Sequence, residues 1–129
     1  MTFAITAQYA VALTLIMIVL NTMVTVARLK TPISLGDSGN NALLVANRRW
    51  MNFAENVPMT LILMALAEAG GAGATVLHAS GIALVAVRLI HPFGLSVETP
   101  KRAARIVGSV GTKLVQVALS GILLMQHFA

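Results

Sequence analysis

Phe3 to Val26 contains no charged side chain. As a helix it would extend roughly 36 Å, more than the ~30 Å of bilayer hydrocarbon. An apolar run of that length cannot be hidden inside a chain of 129 residues. Small domains keep a high ratio of surface to volume, and their surface needs polar groups to face water. Here 57% of residues are hydrophobic and 10% are charged, against roughly 25% charged in soluble proteins. The solvent that satisfies this composition is lipid. The run lacks a basic leader and a small-x-small cleavage site, so it is expected to stay as a helix rather than act as a secretory signal.

Three further helical segments follow, giving expected spans at about 3–27, 46–69, 74–91 and 101–126 within a single domain, 1–129. Thr31-Pro32 and Gly36-Asp37-Ser38-Gly39-Asn40-Asn41 are dense in helix breakers and turn formers, and they form the first loop. The second segment has a purely apolar stretch, Val57–Ala67, too short to cross alone. It must extend back through Glu55, Asn52 and Arg48, with Pro58 inside it. Gly70-Gly71-Ala72-Gly73 predicts a tight turn, and His91-Pro92 ends the third segment. The expected fold is all-α, an integral membrane bundle of four transmembrane helices.

Charge placement agrees with that count. Arg28, Lys30, Arg48 and Arg49 flank the first loop, and Arg88, Lys101, Arg102 and Arg105 flank the third. Four crossings gather these eight of nine Lys and Arg residues at one face. The positive-inside rule makes loops 28–48 and 91–102 cytoplasmic and puts both termini outside. This arrangement accounts for the net charge of +5 without nucleic-acid binding. With no cysteine in the chain, any thiol chemistry needs a thiol supplied by a substrate.

Ionisable side chains within a span are costly against lipid and normally face the bundle interior. Arg48, Asn52 and Glu55 stand at i, i+4 and i+7, on one helical face. Their spacing fits equally a structural network and a pocket for a polar, charged ligand. Arg88 and His91 stand at i and i+3 on the end of the third helix. Arg88 alone reads as a snorkelling side chain, while His91 adds a group that titrates near neutrality. No metal site is expected, because His78 and His127 belong near the opposite face. On the fourth helix Arg102, Ser109, Lys113, Gln116 and Ser120 share one sector, with Arg105 and Thr112 on its edge. That sector must face protein or water. Lys113 is too deep for a simple anchor and is expected to pair with an acid such as Glu55, the alternative being a role in ligand binding or proton transfer. Gly108 and Gly111 read as helix-packing residues.

The run Arg48-Arg49-Trp50-Met51-Asn52-Phe53-Ala54-Glu55-Asn56-Val57-Pro58 resembles the second-helix signature of the MAPEG proteins, membrane-associated proteins in eicosanoid and glutathione metabolism. The loop Gly36-Asp37-Ser38-Gly39-Asn40 is similar to that of bacterial members, and Arg88-x-x-His91-x-x-Gly94 to the end of the family's third helix. The resemblance covers nearly the whole chain, and the likeness to bacterial members implies a bacterial inner membrane. It implies a homotrimer with glutathione, as co-substrate, bound between subunits near the cytoplasmic face. Arg48, Asn52 and Glu55 would bind glutathione, with Arg28, Arg88 and His91 assisting. An Arg early in the fourth helix activates the thiol in enzymatic members, and counting from Gly94 favours Arg102, with Arg105 the alternative. Glutathione's carboxylates suit guanidinium forks, its ammonium suits a carboxylate, and a neighbouring guanidinium raises the thiolate fraction. The implied activity is that of a glutathione S-transferase or peroxidase acting on lipophilic electrophiles from the bilayer. The alternative is a non-catalytic relative that binds another anionic or lipid ligand. Trp50, Asn56 and Leu95 depart from residues common in the family, which removes some expected glutathione contacts. A small multidrug transporter of similar length would carry an acid in its first span, and this chain has none there.

Overall fold

A computed structural model describes residues 3–128 and contains four long helices. Helix α1 spans Ala4–Leu29, α2 Asn41–Ala69, α3 Ala74–Ile90 and α4 Arg102–Phe128, and a single 3-10 turn, His91–Gly94, follows α3. By length and composition three of these are apolar enough to cross a membrane: α1, α3 with its 3-10 turn, and α4. Helix α2 has the length, 29 residues or about 44 Å. The part up to Asn56 carries Arg48, Arg49, Asn52, Glu55 and Asn56, and these dilute its hydropathy.

Helix α2 starts at Asn41, several residues before the expected span. Asn40 is its cap: the side-chain Oδ1 accepts from the Leu43 N–H at 3.0 Å. Asparagine is among the best N-cap residues because it satisfies a donor that the first turn leaves open. The helix then runs unbroken through Pro58 and ends at the glycine turn. Gly71 takes φ +85° there, a conformation that residues with a Cβ rarely adopt.

The helices alternate in direction. Glu68 near the end of α2 meets the start of α1, and Tyr9 of α1 meets His78 near the start of α3. Gln126 near the end of α4 donates to the Ala67 carbonyl at 3.1 Å. The first and third loops therefore share the other end, which carries the basic residues. Helices α1 and α4 each pack on both α2 and α3. The core between them is built from Leu13, Phe53, Met64, Leu77, Leu84 and Leu119. The outer surface is apolar as well, with Leu15, Ile18, Ile82, Leu114 and Val117 exposed. A soluble bundle would place polar residues there, so this exterior suits acyl chains.

Candidate functional site

At the basic end, α2, the 3-10 turn and the first turns of α4 enclose a groove of about 360 Å³. Helix α2 contributes Arg48, Asn52 and Glu55, and α4 contributes Arg105 and Ser109. His91 and Leu95 close it between the helices, with Ile106 and Val110 as apolar wall. The polar residues sit where helical periodicity requires. Arg48, Asn52 and Glu55 fall on one stripe of α2, and Arg105 and Ser109 are one turn apart on α4.

Two glycines allow the walls to approach this closely. A Cβ on Gly94 would run into the backbone of Arg105, and one on Gly108 would run into His91. Gly108 thus acts in helix packing, as its neighbourhood in the sequence suggests, and Gly94 fixes where Arg105 can stand.

Arg88 is the polar centre beneath the groove. It is 1% exposed, so it turns inward and does not snorkel. Its Nη1 donates to Asn52 Oδ1 at 3.0 Å and its Nη2 to the Gly108 carbonyl at 2.6 Å. One side chain therefore ties a groove-lining residue of α2 to the backbone of α4. Thr112 Oγ1 donates to the same Gly108 carbonyl at 2.8 Å. Deeper still, Gln116 Nε2 donates to Thr60 Oγ1 at 2.9 Å, extending the α2–α4 polar seam. Arg49 braces the groove from outside, donating to the Leu95 carbonyl at 2.8 Å.

The candidate residues therefore divide. Arg48, Asn52, Glu55, His91 and Arg105 share the groove, while Arg88 supports it from within the bundle. Of the two arginines early in α4, Arg105 lines the groove; Arg102, at the first helical residue, is exposed and outside its lining. Arg28 is engaged elsewhere, with Nη1 donating to the Ser34 and Gly36 carbonyls at 3.1 and 3.2 Å. The polar sector of α4 also splits. Thr112 is buried and Gln116 turns toward α2, but Lys113 is exposed. Glu55 is exposed too, so neither charge is folded inward as the sequence suggests. Sequence reasoning passed over Ile106 and Val110, whose only signal is their register one residue beyond Arg105 and Ser109.

Chemically, the groove offers two guanidinium groups, one carboxylate, an amide, an imidazole and a hydroxyl beside an apolar wall. That set suits a small zwitterionic ligand bearing more than one carboxylate. An all-helical, multi-pass membrane protein with such a groove at its basic end is the class these features define. The sequence matches the MAPEG family over residues 6–125. Inner membrane protein YecN of Escherichia coli K12 is 33% identical over 90 residues, 70% of this chain and 69% of its own length. YecN of Escherichia coli O6:H1 matches to the same extent. No solved structure matches the chain. The protein belongs to the MAPEG family and is a bacterial-type, integral membrane member.

Proposed function

We propose that the groove binds glutathione and that the protein adds the glutathione thiolate to lipophilic electrophiles, or uses it to reduce lipid peroxides. The observation that carries this reading is the convergence of Arg48, Asn52, Glu55, His91 and Arg105 on one groove of about 360 Å³. Arg48 would take a carboxylate of the tripeptide, Glu55 its ammonium, and Asn52 would orient its backbone. Arg105 is the thiol-activating residue in this reading, because it stands on the groove and Arg102 does not. A guanidinium beside the sulfur favours the thiolate, the attacking species. Ile106 and Val110 give the apolar electrophile a surface continuous with the bilayer.

The same reading includes a homotrimer with α2 as a fourth membrane crossing and the loops after α1 and α3 in the cytoplasm. Support comes from Glu55 and Lys113, which are exposed on the protomer. Within the bilayer, charges left against hydrocarbon cost several kcal/mol, roughly 2.5–3.5 each on insertion scales. A neighbouring subunit packed head-to-tail over the α2–α4 face removes that cost and closes the groove.

A second reading, non-catalytic binding of another anionic ligand, draws on Asn52, whose Oδ1 is already held by Arg88 at 3.0 Å. Glutathione titration in detergent, followed by ultraviolet absorbance of the bound thiolate, separates the two. Arg105→Gln is expected to abolish the thiolate signal while Arg102→Gln keeps it, and Arg48→Gln is expected to weaken binding about tenfold or more. No thermal shift and no thiolate signal in the wild type at millimolar glutathione would reject the glutathione reading.

A further inference from the structure

A second concave region lies on another side of the bundle, away from the glutathione groove. One cavity, of about 610 Å³, sits between the end of α1, the start of α2 and the loop after the 3-10 turn. Another, of about 220 Å³, lies between α1 and α3. Met23 and Arg49 line both, so the two cavities adjoin.

Helix α1 supplies a continuous wall. Ile16, Val19 and Met23 line the inner cavity, and Met23, Val26 and Lys30 the outer one. Their spacing of three and four residues keeps them on one face of the helix. From Lys30 to Ile16 the stripe runs about 21 Å, close to the depth of one leaflet with its headgroup, about 20–22 Å. The trough is mainly apolar, with Lys30 at its aqueous end and Arg49 at the junction of the two cavities.

The charges point to the kind of occupant. Lys30 and Arg49 stand at the outer cavity with a single acid, Glu98, which leaves that end net positive. Arg49 lines both cavities, and its Nε is without a hydrogen-bond partner, while Arg88, at the inner cavity, is already committed to Asn52 and the Gly108 carbonyl. Donors left unsatisfied on cations in apolar surroundings call for an anionic acceptor. Basic pockets between helices on the cytoplasmic side are suited to anionic lipid headgroups.

We propose that this trough binds one anionic phospholipid per protomer, its phosphate at Lys30 and Arg49 and an acyl chain along α1 as far as Ile16. The lipid occupies a surface separate from the Arg48–Glu55 groove, so the site stands whether or not glutathione is the ligand there.

Native mass spectrometry of the protein in mild detergent, titrated with phosphatidylglycerol and phosphatidylethanolamine, tests it. One phosphatidylglycerol per protomer is expected to be retained, about fivefold more tightly than phosphatidylethanolamine. Lys30→Gln, at an exposed position, is expected to erase most of that preference. Glu98→Gln is expected to increase it. Met23→Trp, which fills the junction of the two cavities, is expected to abolish retention while the melting temperature of the lipid-free protein holds. Equal retention of the two lipids, or retention unchanged in both Lys30→Gln and Met23→Trp, would overturn the proposal. So would displacement of the lipid by inorganic phosphate alone, which would make the occupant a free anion.

Discussion

Where α1 begins, the polar side chains are spent on the protein itself. Glu68 Oε1 and Oε2 accept from the Ile5 and Thr6 N–H groups at 2.9 and 2.8 Å. They cap a helix that lacks a side-chain cap of its own. Tyr9 and His78 share a hydrogen bond of 2.8 Å, and Gln126 holds the Ala67 carbonyl. Where α1 ends, the arrangement is different. Arg88 is committed inside the bundle, but Arg48, Glu55 and Arg105 stand exposed around a groove. Polar groups at a membrane protein's ends can close the fold or remain available to a ligand. Here the two uses fall at opposite ends, and within the basic end they are divided between a buried support and an open rim.

That contrast can be broken in four places, in falling order of effect. Arg88→Ala removes the support, leaves Asn52 Oδ1 without its donor and opens a cavity. It is expected to cost about 3 kcal/mol or more in thermal or denaturant unfolding in detergent. Gly94→Ala forces a Cβ against the Arg105 backbone. It is expected to cost about 2 kcal/mol and to weaken glutathione binding with it. Glu68→Gln at the closed end weakens the bond to two backbone N–H groups, with an expected loss of about 1 kcal/mol and no change in glutathione affinity. Gly121→Ala in α4 meets no neighbour within 4 Å. It is expected to stabilise the protein by about 0.5 kcal/mol, which a small rise in melting temperature would register.

The fold was largely legible because lipid imposes long apolar runs and the cation distribution fixes which loops share an end. The start of α2 was not, because Asn40 and Asn41 are as common in turns as at helix caps, and only the bond from Leu43 tells them apart. The α2 stripe of the site followed from helical spacing alone. Arg88 did not: an arginine at a helix end ordinarily snorkels, and its acceptor, the Gly108 carbonyl, is a backbone group that no residue type announces. Glu68 was equally silent, since its partners are the N–H groups of Ile5 and Thr6, more than sixty residues away. Counting from Gly94 favoured Arg102. The choice between it and Arg105 depends on which side of the first turn of α4 faces α2, a matter of helix orientation that residue counts do not contain.

The most direct test measures two quantities on two carboxylate variants: glutathione affinity and melting temperature for Glu55→Gln and Glu68→Gln. An open rim and a closed end predict that Glu55→Gln loses affinity about tenfold with little change in melting temperature, and that Glu68→Gln does the reverse. Equal affinity in wild type and Glu55→Gln, with the stability loss falling on Glu55→Gln, would contradict the account.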